Sequence, residues 1–216
     1  MVKVGINGFG RIGRSFFKIA QRYQDEIEIV GINDIGSPKQ MAHLLKYDSI
    51  YGTLKNNVTY DTGHIIVDGK AYPLFQQKDV KDVDWDALGA QIIIESSGKY
   101  AGRRTASSQS RLPLGGSVKK VIITAPSTID DITIVLGVNE DKYNPKKHHV
   151  ISGASMTTCG LAAILKLMND TYGVRRGMTT SIHSYTTDQK ILDVSHKDFR
   201  RARAAGMSII PTTTGA

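Results

Sequence analysis

Cysteine is almost missing from this chain, with Cys159 the sole one in 216 residues. No internal disulfide can form, and no cysteine cluster is available to hold a metal. A reducing, cytoplasmic compartment is therefore expected. Long apolar runs are missing as well. None approaches the roughly eighteen residues of a membrane span, so no transmembrane helix is expected. The run after Lys3 is too short for the apolar region of a signal peptide. Aromatic residues make up 7% with a single tryptophan, and they do not interleave with basic residues as they do on RNA-binding surfaces. That absence bears on the charge, because 28 Lys and Arg outnumber 20 Asp and Glu for a net +8. The densest basic group, Lys197 with Arg200, Arg201 and Arg203, comes late, and the rest is scattered. Phosphorylated small molecules or a solvated basic face explain the excess, and nucleic acid is not expected as a partner. Repeats, linkers and low-complexity segments are absent, and the length suits one large or two small domains.

What is present is concentrated at the start. Val2 to Asn7 reads as a short apolar strand, Gly8-Phe9-Gly10-Arg11-Ile12-Gly13 follows at once, and Arg14 to Arg22 continues with helical spacing. Phe16, Phe17, Ile19 and Ala20 can face a sheet. Strand, glycine turn and helix together turn a bare G-x-G-x-x-G into a dinucleotide site. Gly8 permits the tight turn, Gly10 lets the backbone approach a pyrophosphate, and Gly13 lets helix and strand pack closely. The diphosphate would meet free N–H groups at the positive end of the helix. A second strand, Ile27 to Ile32, leads to Asn33-Asp34. Asp34 lies about 20 residues past Gly13, the separation expected of the acid that takes ribose hydroxyls.

Further on, Met41 to Tyr47 is helix-like, with Met41, Leu44 and Leu45 on one face. His64 to Val67, Asp68-Gly69 and Ala71 to Phe75 read as a hairpin with an Asp-Gly turn. Gln91 to Glu95, Lys120 to Thr124, Ile132 to Val138 and His149 to Ser152 read as strands. Runs such as Ile92-Ile93-Ile94 are apolar on both faces, as buried parallel strands are. The expectation is a doubly wound α/β domain over residues 1–152, with Tyr100 to Gly116 a surface helix and loop. After Ser152 the texture changes. Residues 156–171 should form one long helix, ended by Gly173. Met178 to Tyr185 alternates as a strand, Arg200 to Ala205 looks helical, and Ile209-Ile210 begins another strand.

These motifs, in order, resemble the glyceraldehyde-3-phosphate dehydrogenase family along the whole chain. They are Gly5 to Arg14 (GINGFGRIGR), His43 to Asp48 (HLLKYD), Glu95 to Gly98 (ESSG), Ile132 to Val135 (ITIV), Gly137 to Glu140 (GVNE), His183 to Thr186 (HSYT), His196 to Asp198 (HKD) and Ile210 to Gly215 (IPTTTG). The Tyr185-Thr186 pair and the Thr-Thr-Thr-Gly ending favour the triose-phosphate branch over erythrose-4-phosphate dehydrogenases. The resemblance implies a Rossmann-type NAD(P)-binding domain, residues 1–152, followed by the start of an α+β catalytic domain, residues 153–216. It implies an oxidoreductase with NAD, or NADP, as acceptor. A small phosphorylated aldehyde and phosphate would be its substrates, in a homotetramer.

It also implies site residues. Arg11 and Ile12 would contact the pyrophosphate, Asp34 the adenosine ribose, and Lys78 the adenine side. Ser96, Ser97 and Thr124 would line the rim near the nicotinamide. His183 matches the catalytic base. Ser155, Thr157, Thr214 and Gly215 match the site for inorganic phosphate, and Thr186, Asp188 and Arg201 the substrate-phosphate side. Val194-Ser195 replaces the family's Leu-Pro pair before His-Lys-Asp, which implies tolerance of NADP.

One position departs from the family's chemistry. The family signature Ser-Cys-Thr-Thr-Asn-Cys supplies a thiolate at a helix N-terminus, where the dipole lowers its pKa. Here the segment reads Ser155-Met156-Thr157-Thr158-Cys159-Gly160. Met156 takes the nucleophile's position, and a thioether has no proton to lose and cannot form a thioester. Cys159 lies one helical turn on, a displacement of about 5 Å that catalysis does not tolerate between reacting groups. The expected role of its thiol is packing. Gly153 replaces a further family asparagine. Family members also run on past Thr-Thr-Thr-Gly. The expectation is a fragment or a shortened paralogue, and either a dehydrogenase lineage whose catalysis is blocked or a non-catalytic NAD-binding protein.

Overall fold

The computed structural model describes residues 1–99, 114–128 and 130–216. They divide into two compact units, Met1–Ala154 and Ser155–Ala216. The first opens with β1 (Val2–Asn7), α1 (Arg11–Ala20) and β2 (Ile27–Asn33), then α2 (Pro38–Lys46) and a two-stranded ribbon of β3 (Tyr47–Asp48) and β4 (Gly52–Thr53). β5 (Val58–Tyr60), β6 (His64–Val67) and β7 (Lys70–Phe75) form a meander. β8 (Ile92–Glu95), β9 (Lys120–Ile123), β10 (Ile132–Thr133) and β11 (Val150–Ser152) complete the unit.

Among the described residues the main sheet has the order β10-β11-β9-β8-β1-β2-β7-β6-β5. It is parallel from β10 to β7, and only the β5–β6 and β6–β7 pairs are antiparallel. After β1 the chain builds outward through β2 and β7, then crosses back to place β8 on the other side of β1. That reversal is the point where a doubly wound sheet opens a crevice at its carboxyl ends.

Burial follows the pleat. Ile94 belongs to a core with Ile6, Phe9, Phe17, Ile32, Leu45 and Tyr72, whereas its neighbour Ile93 packs with Trp85, Val121 and Val150. Successive strand residues point to opposite faces, so the sheet is covered on both. Phe17 stacks edge-on against Phe9 and Tyr72, with centroids 5.6 and 4.9 Å away. Ile19, expected on the inner face of α1, points outward instead. The hairpin turn has left-handed backbone at Asp68 (φ 50°) and Gly69 (φ 83°), the pair of conformations a two-residue type I′ turn requires.

Local chemistry moved three boundaries. α1 starts at Arg11 rather than Arg14, with Gly10 as its N-cap. α2 starts at Pro38, because Ser37 and Gln40 form a reciprocal capping box with proline in the first turn. The expected strand Ile132 to Val138 keeps only Ile132–Thr133. Asn139 draws the chain into a turn, accepting from Val135 N at 2.8 Å and donating to Thr133 O at 3.0 Å, and Gly137 has φ 82°. The helix and loop expected over Tyr100 to Gly116 lie outside the described residues up to Pro113.

In the second unit α3 (Met156–Tyr172) is capped by Ser155 and stopped by Gly173, whose φ is 72°. The strands expected at Met178 to Tyr185 and from Ile209 do not form among the described residues. A strand is stable only against a hydrogen-bonded neighbour, with a face to bury. Met178 and Ile182 are 97% and 93% exposed, so the alternation buries nothing. The expected helix Arg200 to Ala205 shrinks to one 3-10 turn, Phe199–Arg201, capped by Asp198. Among the described residues no helix is long and apolar enough to cross a membrane.

Candidate functional site

The carboxyl ends of β1, β2 and β8 converge on the glycine turn. Gly8 has φ 92°, a conformation that favours glycine, and a Cβ there would strike the backbone of Ser96 and Ser97. A Cβ on Gly13 would collide with the carbonyl oxygen of Gly8. Gly10 is different, because nothing lies within 4 Å of the place its Cβ would take. It caps α1 without any side-chain hydrogen bond, and the first turn holds no acidic side chain. The first N–H groups of the helix, which have no intrahelical partner, thus lack a side-chain cap and suit an anion.

Asp34 closes the turn from the side. Its Oδ2 accepts from Phe9 N at 2.7 Å and its Oδ1 from Gly36 N at 2.9 Å. Each oxygen keeps a further lone pair, so the carboxylate can still take a vicinal diol. Ser96 Oγ donates to Gly8 O at 2.6 Å, Ser97 Oγ donates to Glu95 Oε1 at 2.5 Å, and Thr124 Oγ1 donates to Glu95 O at 3.2 Å. Lys78 is exposed, and its carbonyl accepts from Lys99 Nζ at 2.7 Å. Asp34, Ser96, Ser97 and Thr124 thus sit on the strand ends around the turn or in the loops just beyond them.

Arg11, expected to contact the pyrophosphate, has its side chain engaged elsewhere. Its guanidinium lies 3.0 Å from Asp48, which also takes Lys18 at 3.1 Å. Burial alone would push the Asp48 carboxyl up. The N–H groups of Ile50 and Tyr51, with Arg11 and Lys18, instead hold it well below the usual carboxylate range. With its guanidinium engaged by Asp48, Arg11 has its backbone N–H left to offer an anion, as Ile12 has. Sequence reading missed Arg14, whose Nη1 donates to Phe9 O at 2.8 Å while its Nε is buried without a partner. It also missed Glu95, Asn7 and Asn33, all buried. A polar residue closing each of three apolar strands was the available signal.

In the second unit Ser155 Oγ accepts from Thr158 N at 3.0 Å and shares a hydrogen with Thr158 Oγ1 at 2.6 Å. Met156 opens α3 and is 68% exposed, with Thr157 half-buried beside it. His183 Nδ1 lies 2.6 Å from Ser184 O. A carbonyl only accepts, so Nδ1 carries the hydrogen and Nε2 is left as the basic nitrogen. Thr186, Asp188 and Arg201 do come together. Arg201 pairs with the Asp188 carboxylate, and the backbone N–H of Asp188 donates to Thr186 Oγ1 at 3.5 Å. Any anion at Arg201 must compete with Asp188. Thr214 Oγ1 accepts from Ala216 N at 3.2 Å, and Gly215 is exposed. Among the described residues no hydrogen bond or ion pair joins His183 to Met156, or Thr214 and Gly215 to Ser155 and Thr157. Among the described residues, no group of three or more His, Cys, Asp or Glu side chains could hold a metal.

A chain reversal beside a glycine turn, an open helix N-terminus and a carboxylate one strand away define a dinucleotide-binding domain of the Rossmann class. Residues 2–103 match the family model described as glyceraldehyde 3-phosphate dehydrogenase, NAD binding domain, and residues 155–216 match that of the C-terminal domain. Three similar proteins are the glyceraldehyde-3-phosphate dehydrogenases of Geobacillus stearothermophilus (51% identical over 215 residues), Streptomyces avermitilis (number 2; 50% over 215) and Thermotoga maritima (48% over 217). Each match covers 100% of this chain. The chain belongs to the glyceraldehyde-3-phosphate dehydrogenase family, and NAD is the cofactor of its N-terminal domain. It spans 63–64% of the length of those relatives.

Proposed function

We propose that this chain binds NAD at the carboxyl edge of its sheet and is blocked at the covalent step of phosphorylating aldehyde oxidation. The observation that carries the reading is the pairing of an α1 N-terminus that no side chain caps, at Gly10, with Asp34 bound to Phe9 N. Backbone N–H groups of Arg11, Ile12 and Gly13 hold the pyrophosphate, and Asp34 takes the adenosine ribose. Lys78 flanks the adenine, and Ser96, Ser97 and Thr124 line the nicotinamide side. Bound there, NAD is a hydride acceptor.

Residues 1–152 act as the NAD-binding domain and 153–216 as part of a catalytic domain. The substrate class is a small phosphorylated aldehyde with inorganic phosphate. His183 Nε2 is the base. Ser155, Thr157, Thr214 and Gly215 hold inorganic phosphate, and Thr186, Asp188 and Arg201 the substrate phosphate. Met156 closes the route. Its sulfur carries two carbons and no proton, so it can neither be activated by His183 nor leave as a thiolate. Exposure of Met156 at the first turn of α3 supports this, because a cysteine in the same place would have the helix dipole to lower its pKa.

The protein works in the cytoplasm as a homotetramer, NAD preferred and NADP tolerated through Ser195. A second reading, a non-catalytic NAD-binding interaction protein, is favoured by the same Met156. Calorimetric NAD titration alongside NADH absorbance with glyceraldehyde 3-phosphate and phosphate tests both. Binding without turnover is expected. Turnover would leave the family activity intact and remove the blocked step.

A further inference from the structure

Asn33, Asn7 and Glu95 are the last residues of β2, β1 and β8, and the register sets them side by side, Asn7 opposite Asn33 on one flank and Glu95 on the other. They are 4%, 3% and 4% exposed. A continuous relay joins them. Gln77 N donates to Asn33 Oδ1 at 2.9 Å, and Asn33 Nδ2 donates to Gln77 O at 3.1 Å and to Asn7 Oδ1 at 2.7 Å. Asn7 Nδ2 donates to Glu95 Oε2 at 2.5 Å, and Glu95 Oε1 accepts from Ser97 N at 2.8 Å and Ser97 Oγ at 2.5 Å.

The direction of this relay is set from the backbone. An N–H can only donate, so the Gln77 N–H fixes which end of the Asn33 amide is oxygen. That fixes the Asn7 amide in turn and aims its nitrogen at Glu95. From the other side the Ser97 N–H also donates. Both Glu95 oxygens therefore face donors, and a neutral amide in that place would set one N–H₂ group against another donor.

We infer that Glu95 is a positioning residue for the cofactor. Its carboxylate, through Asn7 and Asn33, sets the polarity of a buried relay that holds four segments in binding geometry: those carrying Gly8, Asp34, Lys78 and Ser97. Each follows a relay member within two residues along the chain. The inference rests on the cofactor reading above. Glu95 itself need not touch the dinucleotide. Partly satisfied buried networks are costly, so reversing one donor disturbs all four segments together.

The test exploits that polarity. Glu95→Gln preserves shape and removes the charge, and it should weaken NAD binding by at least about tenfold, the scale of one unmet buried donor. Asn7→Asp alone sets two carboxylates face to face and should do the same or worse. The double variant E95Q/N7D restores every pairing. The new amide oxygen at 95 accepts from Ser97, its nitrogen donates to the new carboxylate at 7, and that carboxylate still accepts from Asn33. Calorimetric NAD affinity should return to within about threefold of the parent, since coupled neighbours are not additive, and the melting temperature should return with it. Loss in the single variant with rescue in the double supports the relay. NAD affinity unchanged in Glu95→Gln overturns it, and so does a double variant that fails to fold or to bind. A parent chain that binds no NAD overturns the cofactor reading instead.

Discussion

Asp34 Oδ2 accepts the Phe9 backbone N–H at 2.7 Å, so the acid just after β2 also holds the glycine turn that follows β1. One carboxylate thus shapes the loop and keeps lone pairs for the ribose proposed to bind there. Asp34→Ala should weaken NAD binding by about 1–3 kcal/mol, the scale of a lost charged hydrogen-bond partner. Calorimetry with unchanged affinity would remove Asp34 from the site.

The same carboxylate should set cofactor preference. A 2′-phosphate on the adenosine ribose would meet the charge of Asp34, and the proposed tolerance rests on the hydroxyl that Ser195 of a neighbouring subunit would offer it. NAD should bind more tightly than NADP, with NADP still measurable. Competition titration decides, and an NADP affinity more than about 4 kcal/mol weaker, roughly a thousandfold, excludes tolerance.

Two glycines of the turn should respond differently to alanine. At Gly10 nothing stands within 4 Å, so Gly10→Ala should leave the melting temperature nearly unchanged and weaken NAD, because the methyl group occupies the pyrophosphate's approach. At Gly13 the methyl group meets the Gly8 carbonyl, and Gly13→Ala should destabilise the fold by about 1–3 kcal/mol as overpacking does. Equal melting temperatures for the two variants would contradict this account of the turn.

Asp48 gives the first unit an acid-sensitive tie. Burial raises its carboxyl, and the Ile50 and Tyr51 N–H groups with Arg11 and Lys18 outweigh that, leaving the folded value below the ordinary one. A depressed folded value means stability that is present above the unfolded value of about 4 and is lost as pH falls through the folded value. Asp48→Asn should therefore be less stable at neutral pH and lose less between about pH 4 and 2. Parallel stability curves for parent and variant would show that Asp48 contributes nothing to the acid response.

Much of the first unit is readable from local pattern. Strand, glycine turn and helix follow one another within twenty residues, and Asp68-Gly69 encodes its own turn. Gly173 stops α3 where the periodicity ends. The unread parts depend on partners distant in the chain. Nothing near Glu95 says that it meets Asn7, because their strands become neighbours only through the chain reversal. The motif makes Arg11 visible, whereas Asp48, which engages its guanidinium, lies beyond β2 and α2. Met178 to Tyr185 alternates like a strand, yet alternation cannot supply the neighbour it must pair with.

At the nucleophile position, reactivity should depend on which sulfur is present. A thiol-directed alkylating reagent should label Cys159 slowly and a Met156→Cys variant rapidly at neutral pH, because only position 156 lies at the first turn of α3. Equal rates would mean that the helix terminus confers no activation.

The central claim is that this family member holds its cofactor without forming the covalent intermediate. Absorbance of NADH, followed with NAD, glyceraldehyde 3-phosphate and phosphate, tests it most directly. The account predicts a flat trace for the parent chain. NADH formation that disappears in Cys159→Ser would contradict it and make Cys159 the nucleophile.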